Sequence, residues 1–317
     1  MPAGQSIVTA TATRLDDSLN PIETSEFSAF AHLRSHAQRA DFDGDLRTDL
    51  SVFRPSENNW YLIKSTEGIA VQGWGLPGDR IIPGDYDADG KTDISVFRPS
   101  NNTWYRILSS NSTVNTVQWG LAGDVAVPAD YDGDEADDVA VWRPSNGIWY
   151  IQESGNGHFN FSQPWGLPGD LPVVGDWNGD GHADLAVYRP TTGDWHFSIN
   201  SVTTTVHHGQ VGDMPVPADY DGDGTLDISV FRPSNGTWFI LLSGSGNFQL
   251  IQAWGLNGDI PVPGDYDGDG RHDIGVFRPS QGRWYLLRST AGIAISDWGL
   301  NGDKPVPLGY IPDTIFP

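Results

Sequence analysis

The sequence predicts an all-β propeller of four-stranded blades, and three observations carry that reading. The run Asp265-Tyr266-Asp267-Gly268-Asp269-Gly270-Arg271-His272-Asp273 places carboxylates at its first, third, fifth and ninth positions. Related runs start at Asp41, Asp85, Asp130, Asp176 and Asp219, so consecutive starts lie 44, 45, 46, 43 and 46 residues apart. Between the runs lie four short β-rich segments divided by Gly, Pro, Asn and Ser turns, with no helical periodicity. Four strands at a period near 45 residues are the signature of a propeller blade.

Taken in order, residues 1–40 lack the repeat. Residues 6–14 alternate polar and apolar side chains and read as a strand; residues 16–24 are turn-rich, and residues 26–31 read as another strand. Each unit from Asp41 onward then runs loop, strand, turn, strand, turn, strand, turn, strand. In the unit that starts at Asp219, residues 228–231 end at the turn Arg232-Pro233-Ser234-Asn235-Gly236, and residues 238–242 form the next strand. Residues 248–254 follow a Ser-Gly turn, and Gly255-Leu256-Asn257-Gly258-Asp259 leads into residues 260–263 before the next loop. Pro83, Pro128, Pro217 and Pro263 stand at the end of that last strand, where a missing N–H costs little.

The last strand of this kind, from Lys304, meets no seventh loop. Counting the segment before Asp41, seven strands precede six loops, which predicts seven blades, the last closed by residues 304–317 and 6–31 together. The alternative is six blades, with the C-terminal strand completing the first and residues 1–34 left as an arm. The domain reading is therefore 1–40 as strands of the closing blade, six repeats (41–84, 85–129, 130–175, 176–218, 219–264, 265–308), and 309–317 as the C-terminal part of that blade.

Composition narrows the function. The 317 residues carry 41 Asp+Glu against 18 Lys+Arg, a net charge of −23, and 23 of the carboxylates stand at the first, third, fifth and ninth places of the loops. No basic face for nucleic acid or anionic lipid is expected, and no 18-residue apolar run predicts membrane insertion. Cysteine is absent, which excludes disulfides, thiolate nucleophiles and Cys-bound metals. No charged segment followed by an apolar one opens the chain, so a signal peptide is not expected within it.

Alternate Asp side chains around a Gly turn converge hard oxygens on one point, and unneutralised they would repel. A cation at the centre is the natural resolution, and oxygen-only donors favour Ca²⁺ over zinc or copper. Six divalent ions would add twelve positive charges and bring −23 to −11. Extracellular calcium modules bind at about 10⁻⁴–10⁻³ M, concentrations met outside the cell, so a secreted or surface location is expected.

The Asp-x-Asp-x-Asp-Gly-x-x-Asp loop, followed by Phe-Arg-Pro-Ser and Trp-Tyr, resembles the FG-GAP/VCBS repeats of bacterial surface and secreted proteins, over residues 41–308. The resemblance implies an integrin-α-like calcium-binding propeller, a family mostly of adhesive or binding scaffolds, with some lectins that hold sugars between blades. It also implies the ligands: Asp85, Asp87, Asp89 and Asp93; Asp219, Asp221, Asp223 and Asp227; Asp265, Asp267, Asp269 and Asp273, with a backbone carbonyl from the seventh place. By the same match the fourth loop offers Asp176, Asn178, Asp180 and Asp184. The first (Asp41, Asp43, Asp45, Asp49) and third (Asp130, Asp132, Asp134, Asp138) have Leu46 and Glu135 where Gly is the rule, so a strained turn is expected there.

Other repeated residues admit two readings. Arg54, Arg98, Arg143, Arg189, Arg232 and Arg278 are either a ring for anionic sugars or ion-pair partners of Asp79, Asp124, Asp170, Asp213, Asp259 and Asp303. The equal copy number favours ion pairs. Two tryptophan columns, Trp60, Trp104, Trp149, Trp195, Trp238, Trp284 and Trp74, Trp119, Trp165, Trp254, Trp298, read as packing, or as sugar-stacking platforms. His196, His207 and His208 mark the unit at Asp176 as a specific pocket or transition-metal site, or else as drift in a redundant copy. No acid–base pair or nucleophile constellation stands out. The expectation is a non-enzymatic adhesion, binding or assembly module with up to six Ca²⁺, whose partner is a protein or glycan of the cell surface or matrix, or a further copy of itself. A calcium-dependent lectin is the alternative, and an accessory domain or cryptic polysaccharide lyase ranks below both.

Overall fold

The computed structural model describes residues 40–155, 159–246 and 248–307, together with strand residues 7–8, 13–15, 21–24 and 31–32. The chain forms two compact units, residues 1–36 and 37–317. In the first, Ile7–Val8 pairs with Ala31–His32 and Thr13–Leu15 with Pro21–Thr24; the rest of the strands expected there lies outside the described residues.

The second unit holds six four-stranded antiparallel sheets. The second blade shows the pattern: Arg80–Ile81 innermost, then Ile94–Arg98, Thr103–Ile107 and Val114–Gln118. The innermost strands of the next four blades are Val125–Ala126, Leu171–Pro172, Met214–Pro215 and Ile260–Pro261. Burial follows depth. Ile94–Arg98 packs on both faces, Thr103–Ile107 alternates buried and half-buried residues, and Val114–Gln118 is mostly exposed.

The expected seventh blade is overturned. Lys304–Pro305 pairs with Leu50–Arg54, Lys304 opposite Phe53 and Pro305 opposite Val52, and so completes the first blade with Asn59–Lys64 and Gly68–Gly73. The physical reason lies in the phase of the repeat. Each repeat begins at its loop, one strand into a blade, so its last strand becomes the innermost strand of the next blade. Six repeats closed on themselves thus need no strand from the N-terminus, and the six-blade alternative stands. Residues 308–317 lie outside the described residues.

Three closed rings of contacts confirm the count. In each loop the eighth-place N–H donates to the first-place carbonyl of the preceding loop: Thr92 to Asp41, Asp137 to Asp85, Ala183 to Asp130, Leu226 to Asp176, His272 to Asp219 and, closing, Thr48 to Asp265, at 2.6–3.1 Å. The same approach explains small residues before each loop: a Cβ at Gly84 would meet Asp137, at Gly175 Leu226, and at Gly264 Thr48.

The second ring uses the second aromatic column, where each indole N–H donates to a backbone carbonyl of the next blade. Trp74 reaches Tyr105, Trp119 Tyr150, Trp165 His196, Trp254 Tyr285 and, closing, Trp298 Tyr61, at 3.0–3.2 Å. His208 takes the missing place, its Nε2 3.0 Å from the Phe239 carbonyl. Beneath, the first column is fully buried, and each indole binds the carbonyl of the second-column residue in its own blade, as Trp104 does to Trp119 at 3.2 Å. Truncating one of these tryptophans to Ala would cost about 3–5 kcal/mol.

The third ring is ionic. Arg98 Nε and Nη2 donate to Asp79 Oδ1 and Oδ2 at 2.9 and 2.8 Å, and its guanidinium stacks 4.2 Å over the Tyr105 ring. The same two-pronged pair joins Arg143 to Asp124, Arg189 to Asp170, Arg232 to Asp213, Arg278 to Asp259 and, across the closure, Arg54 to Asp303. These arginines are structural, and each aspartate also accepts the N–H three residues before it, as Asp79 does from Leu76 at 2.8 Å.

Candidate metal centres

The loops sit at the opposite end of each blade from the Arg–Asp pairs, where the innermost strand turns into the next. In the first loop, Asp41 accepts the N–H of Gly44 (2.7 Å) and Leu46 (2.8 Å), which coils the backbone around its carboxylate. Leu46 and Glu135 take φ of 68° and 73°, the left-handed region where the other loops have glycine, as expected from the sequence. Asp49 ties the loop to its blade by accepting the N–H of Phe42 (2.8 Å) and Ser65 (2.7 Å).

The third-place carboxylate differs. One oxygen of Asp43 accepts from Thr66 N–H and hydroxyl at 2.8 and 2.7 Å; the other, Oδ1, is buried with no hydrogen-bond partner. Asp87, Asp132, Asp221 and Asp267 repeat this, each with a buried, partnerless Oδ1. A buried carboxylate oxygen without a donor is costly, and the same orphan in five loops fits a cation placed against it.

Five tight groups can hold a metal ion, with one oxygen from each member within 4.8 Å of the others: Asp41, Asp43, Asp45; Asp85, Asp87, Asp93; Asp130, Asp132, Asp138; Asp219, Asp221, Asp227; and Asp265, Asp267, Asp269. The remaining expected ligands border them. Asp89, Asp134 and Asp223 accept from the hydroxyls of Ser109, Ser154 and Ser243, and Asp273 accepts the N–H of Ser289 and Tyr266. In the fourth loop the Asn178 amide nitrogen donates to Asp184 at 3.1 Å, and Asp180 faces Asn200. That amide does internally what a cation would do elsewhere, and Asp176, Asp180 and Asp184 form no such tight group among the described residues.

Burial without a counter-charge pushes the first- and ninth-place carboxyls up: Asp41, Asp184, Asp227 and Asp273 to about 6, Asp49, Asp85, Asp93 and Asp138 to about 7, and Asp130, Asp219 and Asp265 upward. Burial also raises Asp43 and Asp267, but donors from Thr66 and Glu67, and from Ala291 and Thr290, outweigh it and hold both below the usual range.

Two features escape sequence reading. Arg106 stands where other blades place Leu62, Ile151, Phe197, Ile240 or Leu286, and it is buried against the Tyr86 ring at 4.8 Å, with Nη2 on Asn115 at 2.8 Å. Its charge lies within reach of Asp87 and Asp93. The seventh-place side chain of each loop also crosses to the preceding loop: a Cβ at Gly44 would meet Lys91, at Gly133 His182, at Gly222 Arg271 and at Gly268 Arg47. Loop two has Ala88 at that fourth place, and its neighbour is correspondingly small, Ala136.

The three histidines do not converge on a common point. His196 Nδ1 meets Thr205 Oγ1 at 2.9 Å, His207 meets Asp194 at 2.8 Å, and His208 fills the tryptophan column. No helix among the described residues is long and apolar enough to cross a membrane.

The FG-GAP-like repeat family matches residues 130–187 and 219–276. No curated protein matches the chain. Among solved structures, a streptogramin B lyase is similar at TM-score 0.52 and 7% identity, over 80% of this chain and 84% of that one. BBS1N in complex with ARL6DN is similar at TM-score 0.52 and 11% identity, over 83% and 82%. A catalytically inactive virginiamycin B lyase from Staphylococcus aureus, with quinupristin, is similar at TM-score 0.50 and 9% identity, over 85% and 96%. At such identities the likeness is one of fold. Residues 40–307 thus form a six-bladed β-propeller, and it contains FG-GAP-like repeats.

Proposed function

We propose that this protein is a calcium-stabilised, non-enzymatic binding scaffold that works outside the cell. The observation that supports it is the buried, partnerless third-place oxygen in five loops, each beside two further carboxylates. When bound, Ca²⁺ supplies the missing positive charge and ties the loop to its blade. The chain's own part is to hold the donors: backbone N–H groups fix the first- and ninth-place carboxylates, and hydroxyls fix the fifth. Because neighbouring loops are bonded in a ring, filling them stiffens one whole end of the propeller. Nothing in that arrangement offers a positioned acid–base pair, and the exposed blade ends are left for recognition.

The test is calorimetric titration of chelator-treated protein with Ca²⁺, followed by thermal melting. About five ions binding near the extracellular range, with a rise in melting temperature, are expected. No saturable binding at millimolar Ca²⁺ would sink the reading.

A carbohydrate ligand is the second reading, and one crevice favours it. Between the first and second blades, Trp74, Tyr105, Arg98, Asn59 and Glu57 line a cleft of about 470 Å³. It pairs an aromatic wall with polar donors and acceptors, as sugar rings require. A glycan array probed in Ca²⁺ and in chelator checks it: binding lost on Glu57→Ala, an exposed residue of the cleft, with melting temperature retained, identifies a lectin, and silence on folded protein directs the search to protein ligands.

A further inference from the structure

The turn that joins one blade to the next carries, in every copy, an exposed aliphatic residue: Leu76, Leu121, Leu167, Val211, Leu256 and Leu300, from 53% exposed at Leu121's neighbour Leu76 to 78% at Val211. Each stands three residues before an ion-paired aspartate, or two in the case of Val211, and so at the Arg–Asp end of its blade. An aliphatic side chain half in water thus recurs once per blade, always at the same end, and the six together make a ring of apolar points on that face.

Charge distinguishes that face from the other. There the six aspartates are each held by an arginine, and beyond these pairs the turns and the strand residues that flank them carry only Glu57, Asp194 and Asp297 against Arg80, Arg283 and Lys304. This end is nearly neutral. The opposite end bears the 23 carboxylates at the ligand places of the loops, with Glu135 and Asp137 besides. Two copies of a chain at −23 repel through their loop ends, at a range of about 8 Å in physiological salt. Through the neutral ends they can meet, and the apolar ring is then complementary to itself, as a two-fold interface requires.

We propose that this face is a homodimer interface, with the apolar rings of two copies stacked about a two-fold axis. A standard interface takes about 800 Å² from each partner, so the association has to draw on the turns of all six blades. Calcium strengthens the association by lowering the charge on the far ends. The proposal is independent of whether the scaffold's ligand is a sugar or a protein.

Sedimentation equilibrium of the full chain in calcium, over a wide concentration range, tests it. A monomer–dimer equilibrium is expected, and the variant Leu76→Ser, Leu121→Ser, Leu256→Ser, Leu300→Ser should weaken it about a hundredfold or more while melting temperature stays near that of the parent. As control, Ile69→Ser with Ile293→Ser, on the outer strands, should leave the dimer intact. A chain that stays monomeric at high concentration overturns the proposal, as does a dimer that ignores the four serines but is lost with the control pair. A monomer that instead floats with phosphatidylcholine vesicles, and ceases to when the four serines are present, assigns the ring to lipid and likewise overturns it.

Discussion

Each blade buries carboxylates at both ends and neutralises them in opposite ways. At one end, Asp79 and its five counterparts are gripped by arginines of the same sheet, and both oxygens are satisfied. At the other, Asp43 and four counterparts keep an oxygen buried without a donor. The first set is complete when the chain is folded. The second is complete only with something from solution, so one end of the molecule is self-sufficient and the other is coupled to its surroundings. The difference follows from side-chain inventory: every blade repeats an arginine at the turn end, and no basic residue recurs in all six loops.

The largest test of that contrast is to withdraw calcium. At a tenfold excess over Kd each site contributes about 1.4 kcal/mol, so five filled loops amount to roughly 7 kcal/mol. Chelation should then lower the melting temperature by on the order of 10 °C or more, read by calorimetry. The ionic ring should give the complementary result. Arg98→Ala leaves Asp79 buried and uncompensated and should cost about 3–5 kcal/mol, equally with and without calcium. Adding Asp79→Asn should recover most of it, because the amide oxygen still caps the Leu76 N–H.

A smaller effect sharpens the comparison within the loop end. Asp87→Asn should remove one ion from the calcium stoichiometry and about 1 kcal/mol in calcium, yet be neutral or slightly stabilising in chelator, where it relieves the orphaned oxygen. Asn178→Asp should do the reverse in the fourth loop. Denaturant titrations of both variants, with and without calcium, decide it. Should Asp87→Asn destabilise equally in both conditions, the orphan has another explanation.

The smallest effect concerns His208. Burial holds its imidazole below the ordinary value of 6.5, so the folded protein keeps it neutral while the unfolded chain takes up a proton. Stability from this residue is full above pH 6.5 and falls as the pH drops below it, until the folded pKa is passed. His208→Trp, which restores the column, should leave stability at pH 7.5 within about 1 kcal/mol and remove that acid-side loss. Melts of the two proteins from pH 7.5 to pH 5.5 would show the curves diverging downward for the parent.

Much of this was legible from period alone. The strands, the loop positions, the Arg–Asp partners and the two tryptophan columns follow from residues that recur at one spacing. What recurs must be used alike in every blade. The blade count was not legible, because it depends on which strand the ends pair with, and the strand-like pattern before Asp41 is as good locally as that at Lys304. Arg106 was missed because a single charged residue on a strand of alternating exposure is usually solvated, and only the fold puts it on the inward face. The small residues before each loop were present in the sequence as Ala40, Gly84, Ala129, Gly175, Ala218 and Gly264, but their reason, the next loop's eighth residue, lies a whole blade away.

The pairing of Lys304–Pro305 with Leu50–Arg54 sets the order in which the molecule is finished. Arg54 and Asp303, joined in the closed ring, are 249 residues apart in the chain. A polypeptide made from its N-terminus therefore starts its first blade and holds it incomplete until the other five blades have been synthesised. During that interval the inner edge of Leu50–Arg54 is open and the loop ring lacks its last bond, so an unfinished chain carries an unpaired strand edge that Lys304–Pro305 later covers. A circular permutant that opens the chain inside a surface turn and joins residue 307 to residue 40 through a short linker would turn this last, longest closure into a local hairpin-like step, and should fold faster with its final architecture unchanged.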